Sequence, residues 1–194
     1  MFLCFTGLLR SAGHGMRKGW YCMKDEQLTE GRFVVYKSNG VCKIERTERM
    51  HVSGQAHNYY VLAPINKPDS IIYVPVDNPR LCSDIRGVLS QSEIRSMLTA
   101  CRGRELCWNP DRKERATAFR DILAGGISID LIGMVRCLYG RKHELEQQNK
   151  LLPAQDDTTL QTAERLVREE FAFALEIPEE KVASYIQDVI EPAM

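Results

Sequence analysis

The chain has 194 residues, of which 26 are basic and 26 acidic, so its formal net charge is zero. Its length suits one or two domains, and a chain without general basicity is not expected to bind DNA strongly by itself. No run approaches the roughly 20 apolar residues of a membrane helix, and the apolar start at residues 2–9 lacks the cationic lead of a secretory signal, so the sequence predicts a cytoplasmic protein.

The first 27 residues carry no recognisable period. Met23 opens a charged stretch that looks like a natural protein start. We therefore interpret residues 1–27 as an N-terminal extension that is disordered or results from a misread start site, with residues 1–22 as the upstream misread or loose part. A genuine N-terminal arm is the alternative.

Residues 28–89 are predicted to form a small antiparallel β-domain. Short runs rich in β-branched and aromatic residues alternate with turn-forming residues, and several short strands with closely spaced turns favour a small barrel. The predicted strands cover residues 33–36, 41–47, 58–62, 70–74 and 85–89.

From Ser90 onward the apolar period becomes that of helices. Ser90 and Glu93 form a capping-box pattern at the first helix, and Pro178 suits the first position of the last one. The five predicted helices cover residues 90–101, 111–124, 128–150, 158–175 and 178–190. The sequence therefore predicts an α+β protein, with a β-domain at 28–89 and a helical domain at 90–194.

Trp108 stands just before the cationic start of a predicted helix, where Arg112, Lys113 and Arg115 follow it. Within residues 101–120, six basic residues outnumber three acidic ones. Two interpretations are open at this point. The indole packs inward as core, which is the commoner fate of tryptophan, or it projects and wedges against nucleic acid while the cations hold phosphates.

The sequence carries no recognisable motif for catalysis or for a cofactor. It has no Gly-x-Gly-x-x-Gly and no phosphate loop, and its seven cysteines, without a Cys-x-x-Cys pair, are interpreted as reduced apolar side chains. His51 and His57 flank a predicted hairpin turn, but no further ligand is obviously placed to complete a metal site. We expect no cofactor, no metal and no catalytic residue, and keep a thiol-dependent enzyme as an alternative.

A series of sequence blocks follows one another in a recognisable order. They lie at residues 31–42 (Gly-Arg-Phe-Val-Val-Tyr-Lys-Ser-Asn-Gly-Val-Cys), 59–62, 74–78, at Trp108 with its basic followers, and at 123–126, 135–139 and 163–170. In order and spacing these blocks resemble the CarD/CdnL family of bacterial transcription regulators, over about residues 28–190.

The resemblance implies an N-terminal Tudor-like barrel that docks on the β subunit of RNA polymerase. A similar barrel occurs in transcription-repair coupling factor, whose helicase motifs this chain lacks. The positions that match the family's docking side chains are Met50, near Arg49, and Tyr73. Some relatives carry arginine at both places, so Met50 and Tyr73 either make a drier contact or pack within the hairpin.

The resemblance also implies that the helical domain sits at the upstream edge of the opened promoter. There a tryptophan matching Trp108 enters the minor groove and hinders closure of the bubble. Trp108 and Lys113 carry over as DNA-contacting residues, and Arg112 and Arg115 are added on electrostatic grounds as phosphate contacts.

We therefore predict a non-enzymatic, nucleoid-associated transcription regulator. Its predicted partners are the RNA polymerase β subunit and promoter DNA, with no membrane and no small-molecule substrate. The alternative from another class is a protein–protein adaptor whose helical domain recruits another protein, with Trp108 as a hydrophobic anchor.

Overall fold

The computed structural model describes residues 28–67, 69–101, 106 and 108–190. An antiparallel sheet comes first and helices follow, so the predicted α+β organisation is confirmed. The predicted extension at residues 1–27 and the cationic positions 102 and 104 lie outside the described residues.

Five antiparallel strands form one sheet in the order β4-β3-β2-β1-β5. Because this order runs from one edge strand to the other, closure into a Tudor-like barrel stays a prediction. The strands are β1 (Phe33–Tyr36), β2 (Val41–Val52), β3 (Gln55–Pro64), β4 (Ile72–Pro75) and β5 (Ile85–Gly87).

A long hairpin of β2 and β3 dominates the β-domain, and both strands extend beyond their predicted ends. Its two-residue turn places Ser53 at φ 54° and Gly54 at φ 81°, and positive φ at both central residues matches the right-handed twist of the paired strands. One face of the sheet packs a core that includes Val34, Ile44 and Leu62. We call this side the core face.

Six α-helices lie among the described residues, and five of them follow residue 90 as predicted. The sixth, which the sequence did not predict, is a single turn inside the β-domain, started by the Asn78 side chain accepting a hydrogen bond from the Leu81 N–H. The helices are α1 (Pro79–Cys82), α2 (Gln91–Ala100), α3 (Arg112–Gly125), α4 (Ser128–Glu146), α5 (Ala154–Leu175) and α6 (Val182–Ile190).

Several predicted helix ends are wrong, most clearly around the prolines. Pro153 does not separate a loop from a later helix; it is the residue directly before α5, which begins four residues earlier than predicted. Likewise, Pro178 precedes a 3-10 turn at Glu179–Lys181, and α6 starts only after it. Proline is tolerated at such starts because the first helical N–H groups have no intrahelical partner.

The helices enclose a second core, centred on fully buried side chains such as Phe171, Leu138 and Met134. Helices α4 and α5 supply most of its buried side chains, and α2, α3 and α6 complete it. None of the helices that the structure describes is both long and apolar enough to span a membrane.

Candidate functional site

The start of α3 fixes the backbone that follows Trp108. The Asp111 side chain caps the helix by accepting a hydrogen bond from the Glu114 N–H at 2.8 Å. The Asn109 side chain accepts one from the Asp111 N–H at 2.9 Å and donates one to the Glu114 carboxylate at 3.1 Å. Because these bonds hold residues 109–111 in one conformation, the backbone next to the indole is fixed.

Trp108 itself is partly buried. Its ring packs at the margin of the helical core, so neither of the two sequence interpretations, core or full projection, describes it completely. The guanidinium carbon of Arg115 lies 4.1 Å from the ring centroid, and that of Arg141 lies 5.4 Å from it. Cations at this distance from an indole attract it electrostatically.

Arg115 is a buried partner of the indole. Its side chain is almost wholly out of solvent and ion-pairs with Asp156 at the start of α5, through bonds of 2.9 and 3.2 Å. Its remaining terminal nitrogen donates to the Asn109 carbonyl at 2.8 Å. We therefore do not assign a phosphate contact to Arg115, because its guanidinium group already donates hydrogen bonds within the protein.

Arg112 and Lys113 have the accessibility that a phosphate contact requires. Both side chains are exposed in the first turn of α3, and Arg112 only approaches the Gln155 side-chain oxygen at 3.5 Å. Arg112 and Lys113 thus follow Trp108 closely along the chain, with exposed side chains at the start of α3. This arrangement can supply a partly buried aromatic ring and accessible positive charge from one short segment.

Sequence reasoning missed Arg141 and Asp156, which complete the surroundings of the indole. Arg141 comes from the C-terminal half of α4 and pairs with Glu144 at 2.8 Å, and Asp156 comes from the first turn of α5. Neither residue is near Trp108 in sequence. Only the packing of α3, α4 and α5 brings them to it.

On the β-domain, a β-bulge decides which side chains share a face. The pairing of β2 with β3 shifts between Ile44 and Arg46, and such a bulge inserts one extra residue and reverses the alternation beyond it. Arg46 consequently pairs with Val61, which in turn pairs with Tyr73 on β4. Directly paired residues project from the same face, so these three lie together.

This second face, opposite the core face, also carries Met50, which pairs with His57, and Tyr59, which pairs with Glu48. Tyr73 is 42% exposed, and its ring centroid lies 6.3 Å from that of Tyr59 in an edge-on arrangement. We call the surface formed by Arg46, Glu48, Met50, His57, Tyr59 and Tyr73 the Tyr73 face.

Arg49 lies on the other side of the sheet. It pairs with Asn58, two residues before the core residue Tyr60, and is exposed because the core does not reach that far along the hairpin. Of the three predicted docking residues, Met50 and Tyr73 thus lie on the same face of the sheet, and Arg49 lies on the other face.

The two histidines considered for a metal site are not brought together. His51 and Met50 are neighbours on β2, and His57 pairs with Met50, so His51 and His57 project from opposite faces. His57 instead contacts Asp77 at 3.4 Å. Among the described residues, no group of three or more potential metal ligands occurs.

Cys42 has the properties of a structural thiol. It lies in the core of the β-domain, and burial raises its pKa to about 12, with the nearby Glu169 carboxylate adding to the effect. A thiol with so high a pKa is almost entirely protonated at neutral pH, and the thiolate is the nucleophilic form.

A groove of about 570 Å³ lies on a different side of the helical domain, between α4, α5 and α6. Its lining is mostly apolar, with Tyr139 49% exposed at its margin. The Tyr139 hydroxyl donates to Glu164, and this hydrogen bond, followed by partial burial, raises the pKa of Tyr139 to about 12.

Comparison with known families finds a match for the β-domain, which is about a third of the chain. Residues 28–89 match the family described as CarD-like/TRCF RID domain, and these residues include all five strands. No curated protein is significantly similar to the chain. Residues 28–89 are therefore similar to CarD-like/TRCF RID domains, a family of RNA polymerase-interacting domains.

Proposed function

We propose that this protein is a transcription regulator that binds RNA polymerase through its β-domain and stabilises the open promoter complex through Trp108. One observation carries the proposal. A chain whose residues 28–89 match an RNA polymerase-interacting domain also has a partly exposed indole that is followed, at the start of α3, by the exposed Arg112 and Lys113.

The polymerase contact is assigned to the Tyr73 face and to the β subunit. Aromatic side chains dominate binding energy at interfaces because they bury a large area at low cost in conformational entropy. Tyr73 and Tyr59 supply that area, and Met50 extends it along the hairpin. Arg46 and Glu48 provide charged groups for its rim.

The DNA contact is assigned to the minor groove at the upstream edge of the bubble. A wedged apolar ring stabilises DNA that is already distorted, at the expense of stacking. Stacking of a base on an aromatic side chain contributes roughly 1–3 kcal/mol, which corresponds to a shift of about five- to a hundredfold in an equilibrium. Arg112 and Lys113 hold the adjacent phosphates.

Attachment to polymerase explains how so small a DNA contact can act. The chain has zero net charge, so a few kilocalories from one ring and two cations cannot recruit it to DNA from solution. Binding through a second domain turns the DNA contact into an intramolecular event at high effective concentration.

We further propose that the protein is not an enzyme and works in the bacterial cytoplasm, associated with the nucleoid through polymerase. The raised pKa of Cys42 supports this by removing one candidate thiol nucleophile. In this proposal, Trp108, Arg112 and Lys113 bind DNA and take no part in catalysis.

The proposal is tested by replacing Trp108 with a photoreactive benzoylphenylalanine in the full chain and irradiating it with polymerase and promoter DNA. Crosslinks to DNA at the upstream bubble edge that require polymerase are expected. The matched control places the same group at the exposed Tyr139, which should give no such crosslink. Crosslinking from position 108 that is absent, or equal to that from position 139, would refute the DNA contact.

The groove between α4, α5 and α6 favours a second candidate function, an adaptor that recruits another protein. Its apolar lining suits a helical or extended peptide. Tyr139→Ala distinguishes the two functions. If an adaptor binds its partner in this groove, rather than at Trp108 as the sequence alternative had it, Tyr139→Ala loses transcriptional activity and Trp108→Ala keeps it. The regulator proposed above predicts the reverse.

A further inference from the structure

A buried ion pair joins the β-domain to the helical domain. Arg86 on β5 donates to both carboxylate oxygens of Glu170 on α5, at 2.5 and 2.7 Å. Arg86 is 8% exposed and Glu170 2% exposed. Each residue belongs to a different domain, so the pair is an interdomain contact.

Both members of the pair make further hydrogen bonds. The Ser128 hydroxyl donates to Glu170 at 2.6 Å, and Arg86 donates to the Gly126 carbonyl at 2.8 Å. The Leu89 N–H approaches Glu170 at 3.4 Å. Arg86 of the β-domain is thereby hydrogen-bonded to the α3–α4 junction and ion-paired with α5.

These attachment points belong to the helices that frame the indole. Helix α3 carries Arg115, α4 carries Arg141 and α5 carries Asp156, and all three residues surround Trp108 directly or through one contact. The pair therefore links the sheet that bears the Tyr73 face to the scaffold that bears Trp108.

The domain interface is also closely packed at two glycines and at one pair of aromatic rings. A methyl group on Gly126 would lie 2.7 Å from the Lys37 carbonyl oxygen, and one on Gly40 would lie 2.6 Å from the Glu169 carboxylate. The rings of Phe33 and Phe173 meet with centroids 4.7 Å apart.

We propose that Arg86 and Glu170 are positioning residues that hold Trp108 at a fixed place relative to the polymerase-binding face. The inference rests on the proposed function. A buried ion pair contributes little net stability compared with an apolar pair, whereas its two-pronged geometry accepts only one relative orientation. Effective concentration falls steeply when a tether cannot present both sites at once, so the orientation sets how well the indole acts.

The test measures geometry and activity separately in the full chain. Spectroscopic labels on non-canonical amino acids at the exposed positions Gln55 and Gln147 report the interdomain distance. Wild-type protein should give one narrow distribution. Glu170→Gln, which leaves Arg86 without its counter-charge, should broaden it. The same Glu170→Gln variant is then added at saturating concentration to the open promoter complex. The factor by which it lengthens the lifetime of that complex should be about fivefold or more below the wild-type factor. Its affinity for polymerase should stay within about twofold of wild type.

A second variant avoids exposing a buried charge. Gly126→Ala keeps both ionic groups but forces the interface apart at the Lys37 carbonyl, so the distance should shift and the lifetime effect should fall with it. An apolar replacement of the whole pair, Arg86→Met with Glu170→Met, removes the buried charge and the two-pronged contact together. Stability should then recover relative to Glu170→Gln, while the distance distribution should stay broad and the lifetime effect low.

The inference is overturned if Glu170→Gln or Gly126→Ala alters the distance distribution yet leaves the saturating lifetime effect at the wild-type value. It is also overturned if Glu170→Gln leaves the distribution narrow. Failure of the proposed function looks different, because then Trp108→Ala leaves open-complex lifetime unchanged while the distance measurement still responds to Glu170→Gln.

Discussion

The guanidinium carbon of Arg115 lies 4.1 Å from the ring centroid of Trp108. Since Asp156 holds this guanidinium through two bonds, the indole rests on a buried ion pair between α3 and α5. A tryptophan that must meet DNA at one place benefits from such support, because little conformational entropy is then lost on contact.

The first prediction concerns this support. Asp156→Asn leaves the buried Arg115 without its counter-charge, so the free energy of unfolding should fall by about 3–5 kcal/mol. Urea denaturation measures the loss. The emission of Trp108, recorded with Trp20 replaced by Phe, should change as well.

Asp157→Asn is the matched control, since Asp157 is only partly buried and bonds Gln161 within the same helix at 2.8 Å. It should change the unfolding free energy by no more than about 0.5 kcal/mol. Equal effects of the two substitutions would contradict a structural role for Asp156.

The second prediction concerns the cations beside the indole. Arg112→Ala and Lys113→Ala should each weaken the DNA contact at every promoter sequence alike. Each should also reduce by about one unit the slope of log affinity against log salt concentration, measured for the polymerase–promoter complex.

Lys181→Ala is the comparison for these variants, because Lys181 is exposed on the turn before α6. It should leave the salt slope unchanged. If Lys181→Ala lowers the salt slope as much as Lys113→Ala does, the effect reflects overall charge, and Lys113 makes no particular phosphate contact.

The third prediction concerns the polymerase contact. Tyr73→Ala removes an exposed ring from the Tyr73 face, and loss of an aromatic anchor reduces affinity by about tenfold or more. Met50→Ala should have a smaller effect in the same direction. Titration with purified polymerase measures both.

Arg49→Ala should leave polymerase affinity unchanged, because Arg49 projects from the opposite face of the hairpin. If Arg49→Ala weakens binding and Tyr73→Ala does not, the contact lies on the other side of the sheet.

The separation of Arg49 from Met50 shows what the sequence could not reveal. Strand identity and the α+β order follow from local composition and period. The bulge between Ile44 and Arg46 has no comparable signal, yet it reverses the alternation of side chains along the rest of β2. Without the bulge, Arg49 rather than Met50 would share a face with Tyr73.

The role of Arg115 was hidden for a similar reason. In sequence it is one of three cations after Trp108, and charge alone makes the three equivalent. Asp156 lies 41 positions later, and only helix packing makes it the partner of Arg115. Arg86 and Glu170 are 84 positions apart, so local sequence patterns could not predict that they form an ion pair.

The fourth prediction concerns Cys42. Burial and the Glu169 carboxylate raise its pKa to about 12, so the folded state holds this proton at a pH where the unfolded thiol has lost it. Stability contributed by the neutral thiol is present below the unfolded pKa and is lost as pH rises from about 9 toward 12.

At pH 8, iodoacetamide should modify Cys42 only when the protein unfolds, whereas the partly exposed Cys137 should react faster. Mass spectrometry of the digested protein measures both rates. Fast modification of Cys42 in the folded protein would contradict its buried, protonated state and would revive a thiol-dependent function.

The most direct test of the central claim is the lifetime of the open promoter complex with saturating wild-type protein, Trp108→Ala or Trp108→Phe. Loss of the ring in Trp108→Ala should shorten the lifetime by about five- to a hundredfold, and Trp108→Phe should retain part of the effect. Affinity for polymerase should be the same for all three. If the Trp108→Ala protein binds polymerase and sustains the open complex as long as wild type does, the indole is not the DNA contact.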